Sequence, residues 1–198
     1  MKLLAALLVV ALPAAAVSPS GCASLCGNWQ LDTSQSAAVV PAVDAALQSY
    51  RDPRAKYRRG SRNDTLDRMN AELEHSLGPM QDRPQRNELR AELLTLLGAP
   101  VQLKLDARGS DIVIQGDNQI ARRISAGTPK ARVDANGTAK INAAWNSDRL
   151  TVTERYDRKR RYTETYALQS GRATLLVTRE VQRPGMKALR IQSVYRRT

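Results

Sequence analysis

The chain reads as an α+β protein: mainly an antiparallel β-sheet, rolled into a barrel or packed as a sandwich, with a helical insertion after the first strand. Three observations predict this. Beyond Val101, apolar residues recur with period two in short runs divided by turn residues. Between about 40 and 98 they recur three and four apart, as on one face of a helix. Ahead of both, Gly27-Asn28-Trp29 opens a short strand-like run that ends at Leu31.

Residues 1–16 have the pattern of an export signal. Lys2 is the charged start and Leu3 to Leu12 the apolar stretch, too short to span a bilayer. Pro13 breaks the stretch, and Ala14-Ala15-Ala16 supplies small residues for cleavage, so a mature chain would begin near Val17. No other segment is long and apolar enough to cross a membrane as a helix. Export places Cys22 and Cys26, the two cysteines of the chain, where thiols oxidise, and a Cys22–Cys26 disulfide follows. So short a loop stiffens the approach to the first strand and does little more. A second reading takes Ser20-Gly21-Cys22 as a lipoprotein box anchored at Cys22, against which Pro19 stands where a leucine-like residue belongs.

The helical region has three apolar stripes. Val43, Ala46, Leu47 and Tyr50 form the first, with Pro41 in the starting turn. Leu66, Met69, Leu73 and Leu77 form the second, capped by Asn63 or Asp64 and ended by Gly78-Pro79. Leu89, Leu93, Leu94 and Leu97 form the third, with Asp82 as cap and Gly98 and Pro100 beyond its end. Between the first two, Arg51 to Arg62 has six positive charges, one negative and no apolar period, and reads as an exposed loop.

The strands then follow one another. Val101, Leu103 and Leu105 alternate with polar residues, and Ile112 and Ile114 come after an Arg108-Gly109 turn. Ile120 and Ile124 mark a short run, and Asn136-Gly137 is a hairpin signal because both residues tolerate positive φ. The remaining runs are Ala139 to Ala143, Leu150 to Tyr156, Tyr162 to Leu168, Ala173 to Val181 and Leu189 to Tyr195, with turns at Asn146-Ser147-Asp148, Asp157 to Arg161, Ser170-Gly171 and Pro184-Gly185. Sequence neighbours should be sheet neighbours, in one β-rich domain over 17–198 with the meander at about 101–196.

Gly27-x-Trp29 on a first strand, with this strand order, resembles the lipocalin and fatty-acid-binding protein (calycin) barrels. The resemblance implies that Trp29 plugs a closed end and that an arginine from a late strand, Arg190 or Arg196, packs across it. It also implies helices near the barrel mouth. The chain departs from the pattern in several ways. Its helical segment is far longer than such a cap, Ser193 stands where an arginine would precede Tyr195, and the Thr-Asp-Tyr motif is absent.

Chemistry points to one cluster. Glu154 and Tyr156 share a strand face, as do Tyr162, Glu164 and Tyr166 on the next. A five-residue loop from Asp157 to Arg161 would set Tyr156 opposite Tyr162, Glu154 opposite Glu164 and Val152 opposite Tyr166. A two-residue turn at Ser170-Gly171 would put Arg179 opposite Tyr162 and diagonal to Glu164. Three readings of this group stay open: a solvated ion cluster, a lumen site in which Arg179 offers a fork to a carboxylate or phosphate, and a carboxylate pair for glycoside hydrolysis. His75 is the one histidine, beside Glu74 and off its stripe; no metal ligand set, dinucleotide fingerprint or other cofactor motif is present.

The net charge of +12 adds a surface theme. Arg155, Arg158, Lys159, Arg160 and Arg161 crowd one hairpin, and Arg196 and Arg197 lie at the far end. Tyr57 is the one aromatic of the Arg51–Arg62 loop, so stacking platforms for nucleic acid are sparse. The reading favoured is an exported, periplasmic or secreted, non-catalytic binder of a small amphiphilic or anionic ligand. It would use Glu154, Glu164, Arg179, Tyr156, Tyr162 and Tyr166 and no cofactor. The alternative is a basic protein that meets anionic envelope lipid or glycan, and a hydrolase using Glu154 and Glu164 stands third.

Overall fold

The computed structural model describes residues 22–50, 83–108, 111–117, 120–134, 137–146, 148–169 and 173–198. The signal segment, the Arg51–Arg62 loop, the Leu66–Leu77 stripe and His75 lie outside these residues, as does the side chain of Cys22. Among the described residues no cysteine is free.

A short helix, α1 (Cys22–Leu25), leads into β1 (Gly27–Leu31). Helices α2 (Val39–Gln48) and α3 (Arg83–Leu97) follow before the second strand. Nine more strands complete the order: β2 (Gln102–Arg108), β3 (Asp111–Gly116), β4 (Arg122–Ser125), β5 (Lys130–Asp134), β6 (Gly137–Asn146), β7 (Arg149–Arg155), β8 (Arg161–Leu168), β9 (Thr174–Gln182) and β10 (Leu189–Arg197). They form one antiparallel sheet in the order β4-β3-β2-β1-β10-β9-β8-β7-β6-β5. Every sequence neighbour from β1 to β4 and from β5 to β10 is a sheet neighbour, and β1 joins the two halves by pairing with both β2 and β10. The sheet curls. Its two ends, β4 and β5, share no ladder, but the chain between them meets β6 through a parallel bridge at Ala126 and Ala143, with Gly127 N–H donating to the Ala143 carbonyl at 3.0 Å.

Burial follows the alternation. On β7, Leu150, Val152 and Glu154 are buried; on β8, Tyr162, Glu164 and Tyr166; on β9, Leu175, Val177, Arg179 and Val181. Two apolar layers fill the inside of the curl. The first gathers Leu25, Trp29, Leu103, Leu105, Ile112, Ile124, Leu150 and Tyr195. The second gathers Val43 and Leu47 of α2, Leu89, Leu93 and Leu97 of α3, and Tyr162, Val181 and Ile191 of the sheet. The stripes read from the sequence are thus the surfaces by which α2 and α3 cover one end of the curl. Asp44 of α2 accepts a fork from Arg90 of α3, at 2.6 and 3.2 Å. Pro41 sits in the first turn of α2, where its missing N–H costs nothing.

At the opposite end Trp29 is buried and donates its indole N–H to the Leu25 carbonyl at 3.0 Å. An arginine does lie across it, as the resemblance implies, but it is Arg197 and not Arg190 or Arg196. The Arg197 guanidinium stands 4.6 Å from the ring centre, and Arg197 is the ladder partner of Trp29. Register decides this. Arg190 is ladder partner to Glu180, far along β10, and Arg196 is one residue out of phase, so it points away to Asp32 at 2.6 Å. Gly27 (φ +147°) runs beside the Arg197 guanidinium, where a Cβ would approach Nη1 to 3.3 Å.

Candidate functional site

Between the two apolar layers lies a polar one. It holds Glu154, Glu164 and Arg179, all buried, with Ser193 behind Arg179 and a small cavity of about 140 Å³ in front. The cavity reaches Thr95, Leu96, Gly98 and Pro100 at the end of α3.

The six residues singled out by sequence do share one face, but the pairings differ. Glu154 is opposite Tyr162, Val152 opposite Glu164 and Leu150 opposite Tyr166. The expected Glu154–Glu164 pair is therefore offset by two residues. The cause is the β7–β8 loop. The Asp157 carboxylate accepts the N–H groups of Lys159 and Arg160, each at 2.7 Å, and Tyr156 N–H donates to the Arg160 carbonyl, so the hairpin closes tighter than five residues. A similar shift at the next hairpin sets Arg179 directly opposite Glu164, not diagonal to it, with Tyr162 opposite Val181. Both slips are by two, so every side chain keeps its face.

Two arginines that the sequence reading did not include complete the layer. Arg122 of β4 donates to Glu164 Oε2 and, at 3.3 Å, to the Tyr166 hydroxyl; its other nitrogen is 3.5 Å from Glu154. Arg132 of β5 forks onto Glu154 at 3.2 and 2.8 Å and donates to the Tyr156 hydroxyl at 3.1 Å. Arg179 donates to Glu164 Oε1 and to Ser193 Oγ, both at 3.3 Å. Tyr162 donates its hydroxyl to the Leu96 carbonyl at 2.8 Å, tying β8 to α3. Arg122 was within reach of the period: Ile124 points inward, so the residue two before it does too. Arg132 was not, because its apolar neighbours Ala131 and Val133 take the outer face.

The electrostatics follow. Burial alone would push the Glu164 carboxyl up, but Arg122 and Arg179 overcome it and hold the group below its ordinary range. Burial, reinforced by the Glu164 charge, pushes the Tyr162 and Tyr166 hydroxyls up, so both stay protonated. Both carboxylates are committed to guanidinium groups, and Glu164 is held as the anion. That suits electrostatic binding. It does not suit the general acid of a glycoside hydrolase, which needs a carboxyl with a raised pKa. Among the described residues, two glutamates and three arginines give the layer a net charge of +1, whereas the residues read from sequence, two glutamates and one arginine, summed to −1. The two added arginines are the more exposed: the Arg179 side chain is 4% exposed, those of Arg122 and Arg132 32% and 39%. Among the described residues no cluster of metal-ligating side chains occurs and no helix is long and apolar enough to cross a membrane.

No protein-family model and no curated protein matches the sequence. Solved structures do. A secretary abundant heat soluble (SAHS) protein from Ramazzottius varieornatus superposes with a TM-score of 0.48 at 10% identity, over 88% of this chain and 96% of that one. Lipid binding protein 8 of Caenorhabditis elegans gives 0.48 at 8% identity, over 89% and 96%. A REP1-NXSQ fatty acid transporter gives 0.46 at 9%, over 89% and 97%. These likenesses are too distant to carry a function to this chain. The curled antiparallel meander with its helical insertion after β1, and Trp29 beneath a late-strand arginine, is the calycin-like arrangement in its own geometry.

Proposed function

We propose that this protein is a non-catalytic binder that takes a small anion, or the anionic head of a small amphiphile, into the polar layer of its curled sheet. One observation carries the reading: three arginines face two glutamates beside a cavity, and the two more exposed arginines stand on the open side. Charge-assisted forks from guanidinium groups are the strong, directional way to hold a carboxylate or phosphate. The cavity is small beside the several hundred Å³ of a drug-sized pocket. A longer tail would have to part α2 and α3 from the sheet. The sequence of residues 1–16 supports an exported location, and an oxidising compartment would keep Cys22 joined to Cys26. Determining the amino terminus of the protein recovered from outside the cytoplasm tests that part.

Calorimetric titration with butyrate and with butylammonium tests the binding. Butyrate should bind and butylammonium should not. Arg179→Ala and Arg122→Gln each bring the layer to neutrality and should weaken butyrate at least about tenfold, the loss of one charge-assisted hydrogen bond. Equal response to the two probes, or an affinity indifferent to both substitutions, removes this layer from the function.

A further inference from the structure

A second positive feature lies on the outside of the same wall. On the outer face, Lys140 of β6 is the ladder partner of Arg155 on β7, and Arg155 of Arg161 on β8. Three like charges side by side across neighbouring strands oppose one another. None of the three has a carboxylate partner among the described residues, and Arg161 Nε is buried without a hydrogen-bond partner. Arg158 and Lys159, both exposed, extend the row over the β7–β8 hairpin tip. This hairpin lies at the helix-covered end, since Tyr162, next to its base, packs against α2 and α3.

Two aliphatic side chains stand exposed at the margins of the sheet. Val133 of β5 is 79% exposed; it faces outward because Arg132 faces in, and it sits diagonal to Lys140, being the partner of Thr138. Ile120, two residues before Arg122 on the other margin of the sheet, is 94% exposed. Neither residue contacts the core. Together, exposed aliphatic tips at the two margins and a row of cations beside Val133 match a bilayer interface, where the tips enter the headgroup region and the cations meet lipid phosphates. A soluble polyanion would satisfy the row and leave Val133 and Ile120 in water. The row also offers no free aromatic platform, the Tyr156 ring being covered by Arg160 at 5.5 Å.

We infer that the Lys140–Arg155–Arg161 row, the Arg158-Lys159 tip, the adjoining Val133 and, at the other margin of the sheet, Ile120 form a docking surface for an anionic phospholipid bilayer. The surface acts whether or not the interior is occupied. Co-sedimentation of the full chain with vesicles tests it, using phosphatidylcholine alone against equal parts phosphatidylcholine and phosphatidylglycerol. Binding should require phosphatidylglycerol. The triple variant Lys140→Gln, Arg155→Gln, Arg161→Gln should bind about a hundredfold more weakly, near fivefold for each charge removed from an anionic surface. Arg158→Gln with Lys159→Gln, outside any ladder and so without cost to the sheet, should lose about twenty-five-fold. Lys104→Gln on β2, away from the row, should match the parent chain. Val133→Ser with Ile120→Ser should weaken vesicle binding about tenfold while leaving retention on heparin unchanged. Binding to pure phosphatidylcholine, charge variants no weaker than Lys104→Gln, or vesicle binding indifferent to the two serines would each overturn the assignment. The last of these, with heparin retention intact, would make the partner a soluble polyanion.

Discussion

Glu164→Gln is the sharpest perturbation of the polar layer. The glutamine keeps the shape and an acceptor oxygen but removes the charge that Arg122 and Arg179 share. Arg122 retains Glu154 at 3.5 Å and part of its solvent; Arg179 retains neutral partners, the Ser193 and Tyr195 hydroxyls, and no carboxylate among the described residues. Removing one member of a buried ion pair costs about 3–5 kcal/mol because the other is left uncompensated. Since only Arg179 is stranded, the lower end applies, about 3 kcal/mol. In a domain of this size that is a fall in Tm of about 6–12 °C. Urea melts should show the same loss with an unchanged slope, because the surface exposed on unfolding does not change. The double variant Glu164→Gln, Arg179→Met should recover most of the loss, since no charge is then stranded on that strand pair. Butyrate should also rescue the single variant more than the parent chain, by supplying the missing anion. A loss below about 1 kcal/mol, the range of exposed pairs, would show that water already solvates Arg179. The layer would then be wet, and its ion pairs would not be the buried ones described above.

Other outcomes follow from the same geometry. Glu164 has a folded pKa below its ordinary value of 4.5, so its contribution is complete above about that pH and is lost as pH falls through the folded value; acid melts of the parent chain should be steeper there than those of Glu164→Gln. Tyr162 and Tyr166 lie on the other side: their folded values are raised above 10.0, so they contribute fully below that pH and lose it as pH rises, which alkaline melts followed by tyrosinate absorbance should show as ionisation coincident with unfolding. Arg197→Ala removes the cation over the Trp29 ring and the 2.6 Å hydrogen bond to the Ser24 carbonyl, and should cost about 1–2 kcal/mol with a change in tryptophan emission, whereas Arg196→Ala should cost less than half of that.

What was legible in the sequence was local. Period two in the second half placed Leu103, Leu105, Leu150, Val152, Tyr162, Tyr166 and Val177 on one face because each strand's alternation is written in its own residues. Trp29 on the first strand and two helical stripes were legible for the same reason. What depends on joining two segments was not. The β7–β8 register turned on how far Asp157 folds its loop, which no periodicity records. The choice of Arg197 over Arg196 turned on the phase of β10 against β1. Arg132 was hidden by an inverted strand, in which the charge goes in and Val133 comes out. Missing Arg122 and Arg132 reversed the sign of the site.

The place where β4 and β5 fail to pair gives that layer a mechanical meaning. Elsewhere around the curl, neighbouring strands are laced by main-chain hydrogen bonds. Here, among the described residues, the chain after β4 bridges to β6 at Ala126, and Arg122 from one margin and Arg132 from the other are both hooked on Glu154. Any anion that draws Arg122 off that carboxylate also undoes a stitch. Occupancy of the inside and the width of the gap are therefore set by one and the same pair of guanidinium groups.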